Sequence, residues 1–285
     1  MKVLITGGSG FIGSYLSVYL KERGIEVAAP SSGELDVLCQ EDWDGWNGKD
    51  IGHVIHLAGK TFVPDSWDNP EEFFKVNAMG TLNAIRFCRA QNAGMTYVSA
   101  YIYGQPESNP IAETAKAVPN NPYAGSKYAA EEMCAFFGKY FEMNITVLRL
   151  FNVFGPGQKE HFLIPFLIKQ IRDSKNTVSV QDLTPKRDYI YIEDVCKAIE
   201  LSIHKTNGYQ LFNIGSGRSF SVGEVIEMLQ RISGTEKQVF CKNSVRKNEL
   251  NDVIADISLI RSEWGWTPEV DLLSGLAKTM EAEHD

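Results

Sequence analysis

The chain has 285 residues, 44% of them hydrophobic, which is enough for one large domain or two coupled ones with their own cores. Its formal net charge of -8 argues against a nucleic-acid partner, because neutralising phosphates needs a basic surface. Five scattered cysteines without a CxxC pair argue against a disulfide scaffold or a zinc cluster, and no metal site is expected.

No apolar run approaches the roughly 20 residues that span a bilayer, so no membrane partner is expected. The start "MKVLITGGSG" lacks the long apolar stretch of a cleavable leader, so the expectation is a soluble, cytoplasmic protein. In chain order, "KVLIT" reads as a short buried parallel strand. After "GGSGFIG" comes a helical pattern with Ile12, Leu16, Tyr19 and Leu20 on one face, closed at Arg23-Gly24. "IEVAAP", "HVIHLAG" and "MTYVSA" read as further strands, with one amphipathic helix over "FFKVNAMGTLNAIRFCRA" before the last of them. "NNPYAGSKYAAEEMCAFFGKYF" reads as a long helix with Pro122 in its first turn, and "ITVLRL" returns to strand. Strand and helix alternate at crossover spacing, which predicts an α/β fold with a parallel sheet covered on both faces.

The pattern loosens after "FNVFGPGQ". A boundary near Gly155 divides a first part, 1–155, from a second part, 156–285. The segments "RDYIYIEDVCKAIELSI" and "LFNIGSG" (about 188–215) are expected to rejoin the first part. Basic spots at Lys186-Arg187 and Arg246-Lys247 suit one small anionic ligand.

Gly7, Gly10 and Gly13 in "TGGSGFIG" are spaced three apart, and Gly8, Gly10 and Gly13 fit GxGxxG. Between a first strand and a helix, such glycines allow a tight turn and bring backbone N–H groups to a pyrophosphate. The residue after the second strand decides the cofactor. Here "AAPSSGELDV" offers neither the acid that selects NAD nor an arginine for NADP. Ser31 and Ser32 are donors for a phosphate, which tilts NADP(H) or NAD(H) slightly towards NADP(H). Asp36 is placed to meet the adenine amino group; a plain loop cap reads equally well.

Tyr123 and Lys127 lie four residues apart on one helix face. A free phenol titrates near 10 and shuttles protons poorly at neutral pH; an adjacent ammonium favours the phenolate. Ser99, at the C-terminal end of a parallel strand, sits where such sheets place ligands. Each feature alone has a bland reading, a surface pair or a satisfied strand-end hydroxyl. Together, behind a glycine loop, they predict a catalytic set.

"TGGSGFIG", "HLAG", "VNAMGT", "YAGSK", "RLFNVFGPGQ", "KRDYIYIEDV", "FNIGSG" and "WGWTP" occur in the order found in extended short-chain dehydrogenase/reductases. The chain thus resembles their nucleotide-sugar epimerase/dehydratase group along nearly its whole length. The resemblance implies a Rossmann-type doubly wound parallel sheet with a smaller mixed α/β C-terminal substrate domain. It implies cofactor contacts from Gly7, Gly10, Phe11, Ile12, Gly13, Leu57, Ala58, Gly59, Tyr123 and Lys127, with Ser31 and Asp36 added from the loop after strand two. Ser99, Tyr123 and Lys127 match its catalytic triad. Ser99 and Tyr101 would meet the sugar, while Asn152, Arg187 and Arg246 would hold a nucleotide-diphosphate sugar. An ion pair of Arg187 with Asp188 or Asp194 is the competing reading. A homodimer through the helices after residues 77 and 123 is also implied.

Members that eliminate water carry an Asp-Glu pair after the Ser/Thr, and here those places are Ala100 and Tyr101. A 4,6-dehydratase is therefore not expected. What remains is hydride transfer at the sugar C4, as a 4-keto reductase or a C4 epimerase. The alternatives are a carbonyl reductase on a substrate without a nucleotide, and a non-catalytic NADP-binding module.

Overall fold

The computed structural model describes residues 1–244 and 250–282. In β1 (Lys2–Thr6), Val3, Leu4 and Ile5 are fully buried, as a central parallel strand covered on both faces requires. A glycine turn leads into α1 (Phe11–Glu22), which buries Gly13, Leu16, Ser17, Tyr19 and Leu20. β2 (Glu26–Ala28), α2 (Gln40–Asp44) and β3 (Ile51–His56) follow. Then come α3 (Val63–Asp68), α4 (Pro70–Phe74), a π-helical turn at Lys75–Met79, and α5 (Gly80–Gln91). The single helix expected over 73–90 is thus interrupted at Asn77, whose side chain bonds outside the helix.

β4 (Gly94–Ala100) is followed by α6 (Pro122–Tyr140) and β5 (Ile145–Leu150). The Asn121 side chain caps α6 by accepting from the Ala124 N–H at 2.9 Å, and Pro122 takes the first helical position. The second half comprises β6 (Asn152–Phe154), α7 (Leu163–Arg172), β7 (Thr177–Val180), β8 (Lys186–Tyr191), α8 (Ile192–Lys205) and β9 (Tyr209–Ile214). It continues through β10 (Ser219–Ser221), α9 (Val222–Ser233), β11 (Gln238–Cys241), β12 (Asp252–Val253), α10 (Ser258–Trp264) and α11 (Leu272–Ala282).

Six strands pair in parallel in the order β2-β1-β3-β4-β5-β9. The fold is a Rossmann-type doubly wound sheet. Leu35, Val37, Trp43, Ile85, Phe87 and Cys134 form the core on one face, under α2, α5 and α6. On the other face α1 packs with α8, and the Tyr19 hydroxyl donates to Glu200 at 3.0 Å. The expected return to the first sheet is made by α8 and β9 only. β8 pairs instead with β10, β12 and β6 in a second sheet.

One core cluster runs from Val3, Ile5 and Leu16 through Leu150 and Phe154 to Leu167, Tyr191, Leu229 and Leu276. The two parts of the chain therefore share apolar packing. Thr6 pairs with His56 and His56 with Tyr97, so the C-terminal ends of β1, β3 and β4 emerge side by side. The strand order reverses between β1 and β3, where open α/β sheets place their ligands.

Candidate active site

The turn after β1 is built for close approach. Gly7 has φ 71°, and a Cβ there would stand 2.8 Å from the Ala58 nitrogen. A Cβ at Gly13 would lie 2.2 Å from the Gly7 oxygen, so the first turn of α1 packs directly on the loop. Gly10 caps α1 without a side-chain bond. The N–H groups of Phe11, Ile12 and Gly13 therefore have no helical acceptor and carry the positive end of the helix dipole. This cradle fits a pyrophosphate, and with it a nicotinamide dinucleotide.

Leu57, Ala58 and Gly59 run beside the cradle. The Thr6 carbonyl accepts from the Leu57 N–H at 3.2 Å, and the Thr6 hydroxyl from the Ala58 N–H at 3.3 Å. Asn77 ties this loop to α6. Its Oδ1 accepts from the Lys60 N–H at 2.8 Å, while Nδ2 donates to the Lys60 carbonyl at 3.0 Å and the Ser126 hydroxyl at 2.8 Å. Ser126 donates in turn to the Tyr123 carbonyl at 2.7 Å. The π-helical turn is what aims the Asn77 side chain out of its own helix. Thr6 and Ser126 are contributions the sequence reading missed; their signal lay inside "LITGG" and "YAGSK".

The loop after β2 differs from expectation. The Ser31 N–H and hydroxyl both donate to Glu34 Oε2, each at 2.8 Å, so of the two serines expected to be open to a phosphate Ser31 is already engaged, while Ser32 is exposed. Asp36 is exposed, and its carboxylate accepts from the Leu38 N–H at 2.9 Å, the loop-cap alternative.

The N-terminal turn of α6 faces the end of β4. Lys127 is 6% exposed and its Nζ donates to the Val98 carbonyl at 2.6 Å, 4.5 Å from the centre of the Tyr97 ring. Burial pulls this ammonium down to about 8, against an upward effect of Glu131. Ser99 is buried, and its Oγ has no hydrogen-bond partner among the described residues. A buried, unpartnered hydroxyl costs stability, and a substrate oxygen would satisfy it.

Tyr123 stands edge-on to Phe73, with ring centroids 6.4 Å apart. Burial raises its phenol well above the ordinary value, and the Tyr101 phenol adds to the rise. The expectation that Lys127 lowers this pKa is therefore corrected. Desolvation sets the direction, and the ammonium is engaged by the Val98 carbonyl.

Tyr101 stacks on Phe151 at 5.2 Å and 28°, with its hydroxyl 3.4 Å from Asn152 Oδ1. Asn152 donates to the Asp188 carbonyl at 3.2 Å, and so reaches the strand that bears Arg187. Arg187 donates to the carbonyls of Lys186 and Leu250, both at 2.7 Å. The Asp188 carboxylate is satisfied elsewhere, by the N–H groups of Ser216, Gly217 and Ala255 and the Ser216 hydroxyl. Asp194 likewise accepts from the Val270 N–H and pairs with Lys197. Arg246 lies outside the described residues. Across the two parts, Phe62 and His161 meet edge-on at 4.5 Å, so the segments following β3 and β6 touch.

The profile of the family described as "NAD dependent epimerase/dehydratase family" matches residues 3–215. A GDP-6-deoxy-D-mannose reductase of Pseudomonas aeruginosa is 32% identical over 288 residues, covering 96% of this chain and 94% of that protein. The solved structure of RMD from Pseudomonas aeruginosa, complexed with NADPH, has a TM-score of 0.91 at 30% identity, covering 100% of this chain and 99% of that one. A Thermus thermophilus UDP-glucose 4-epimerase complexed with NAD has a TM-score of 0.90 at 27% identity, again over 100% and 99%.

Proposed function

This chain belongs to the NAD dependent epimerase/dehydratase family, and we propose that it reduces the 4-keto group of a nucleotide-diphosphate hexose with a nicotinamide cofactor. When bound, the nicotinamide supplies the hydride. The other tasks fall to this chain's residues. Ser99 Oγ donates a hydrogen bond to the carbonyl oxygen, and Tyr123 gives that oxygen its proton as C4 accepts the hydride. Lys127 fixes the end of β4 through Val98, beside Ser99. Asn152 and Arg187 flank the path of the diphosphate, and the arginine fork suits phosphate. Arg246 is proposed for the same role from the sequence pattern alone.

What supports this reading is a buried, unpartnered Ser99 hydroxyl at the end of β4, to which α6 is tied through Lys127 and Val98, with Ala100 and Tyr101 where elimination would need carboxylates. Tyr101, pinned on Phe151, narrows the space in which a keto sugar would have to turn. This favours the reductase over the C4 epimerase. The GDP-linked relative sets the order of substrates to try, with a GDP-4-keto-6-deoxyhexose first. Tyr123→Phe is expected to lower kcat by about 10²–10⁴-fold, measured as NAD(P)H oxidation, while cofactor binding persists. Unchanged turnover would overturn the assignment.

A homodimer through α5 and α6 belongs to the same proposal. Phe136, Tyr140 and Phe141 are 52%, 64% and 42% exposed, and they cluster with Phe137 at ring distances of 4.9–6.0 Å. A contiguous aromatic surface of this kind marks a contact face.

A further inference from the structure

Resting on the dinucleotide reading of the glycine loop, we propose that Glu34 sets the choice of cofactor, accepting from the adenosine ribose hydroxyls and opposing a 2′-phosphate, so that the chain favours NAD(H). β2 ends beside the cradle, with Leu4 and Ala28 in register. Ala29 touches the glycine loop so closely that a Cβ on Gly8 would lie 2.7 Å from the Ala29 Cβ. Two residues later Ser31 begins a tight turn. Its carbonyl accepts from the N–H groups of Glu34 and Leu35, both at 3.0 Å, and its own N–H and hydroxyl donate back to Glu34.

The turn is anchored from behind. Leu35 and Val37 are buried, and the Val37 carbonyl accepts from Trp43 Nε1 at 3.1 Å and Asn83 Nδ2 at 2.9 Å. Both Ser31 bonds fall on Oε2, which leaves Oε1 to accept from a ribose hydroxyl. The carboxylate is therefore fixed to Ser31 in the loop after β2, six residues beyond the end of that strand, and here takes the role of the acid that follows the second strand in NAD-selecting sheets. Hydrogen bonds from the Ser31 N–H and hydroxyl hold its pKa down, so it is charged at neutral pH.

No cation offsets it nearby in sequence. Between Gly24 and Gly48 stand Glu26, Glu34, Asp36, Glu41, Asp42 and Asp44, and no lysine, arginine or histidine. Arg23, just before, is stacked on Tyr19 at 3.5 Å and paired with Glu200 at 3.5 Å. A dianionic 2′-phosphate would meet like charge here, and it would find the Ser31 donors already engaged.

The test is fluorescence titration of the full chain with NADH and with NADPH, comparing wild type, Glu34→Gln and Glu34→Ala, at low and high salt. Wild type is expected to bind NADH about tenfold tighter than NADPH at low salt, with the ratio narrowing as salt screens the repulsion. Glu34→Gln removes the charge, keeps its one acceptor for Ser31 and puts an amide NH2 where the ribose acceptor was; it should tighten NADPH at least about fivefold and weaken NADH by about threefold. Glu34→Ala also frees the Ser31 donors and should tighten NADPH further. NADPH binding to wild type as tightly as NADH overturns the proposal, as does an unchanged ratio in both variants. Binding of neither dinucleotide to wild type would overturn the cofactor reading of the loop itself, and this inference with it.

Discussion

In the proposed reaction Tyr123 and Ser99 act on one oxygen from two elements, the first turn of α6 and the end of β4. The Ser99 hydroxyl has no protein partner among the described residues, so its removal leaves no orphaned bond in the fold. Ser99→Ala is thus expected to preserve thermal stability while lowering kcat about tenfold to hundredfold, the worth of one hydrogen bond to a developing charge. A variant that loses stability instead, with its catalytic rate intact, would show that the hydroxyl serves the strand. The order of motifs pointed to Ser99, Tyr123 and Lys127, and the fold brings Lys127 on α6 to the end of β4, because a helix repeat and a strand end are local geometry. The electrostatics were not legible. The direction of the Tyr123 shift depends on how much chain covers the phenol, which spacing does not report. Glu34 was missed although Ser31 and Glu34 form the Ser-x-x-Glu pattern, whose reciprocal bonds are familiar at helix starts.

The elements that carry the site are stiffened by polar groups beneath it. On β3, His56 shares a 2.7 Å hydrogen bond with Thr6, and His53 shares one of 2.7 Å with Thr96. Burial holds His53 down at about 4, with a smaller effect of His204, and His56 down at about 3, with a smaller effect of Lys127. Both lie below the 6.5 of an unfolded histidine, so the unfolded chain takes up these protons first as pH falls. Stability is accordingly lost from about 6.5 down to about 4 for His53, worth about 3 kcal/mol. Denaturant unfolding between pH 7 and pH 4 should show a shallower acid limb for His53→Gln than for wild type; coincident limbs would contradict the assignment. Alternation of strand and helix revealed the first sheet up to β5. It misplaced β8, since a buried run such as "DYIYI" looks alike in either sheet, and only pairing partners decide. The break at Asn77 was hidden because its apolar neighbours keep a helical repeat.

Over the whole molecule, shared apolar packing through Leu150, Phe154 and Tyr191 joins the two parts of the chain. The aromatic face of α6 is turned away from that core and predicts self-association. Sedimentation of wild type should give a dimer and of Phe136→Glu/Tyr140→Glu a monomer, whereas a monomeric wild type would contradict the proposed interface. In the proposed reaction one hydride and one proton are delivered to a sugar carbonyl, with Tyr123 as the proton donor. It is tested most directly by following reduced nicotinamide absorbance together with sugar product, using a nucleotide-linked 4-keto hexose and both wild type and Tyr123→Phe. Wild type is expected to consume NAD(P)H in step with formation of the 4-hydroxy sugar, and the variant to consume almost none. Conversion of nucleotide sugars between C4 epimers with no net nicotinamide consumption, or a Tyr123→Phe enzyme that keeps pace with wild type, would contradict it.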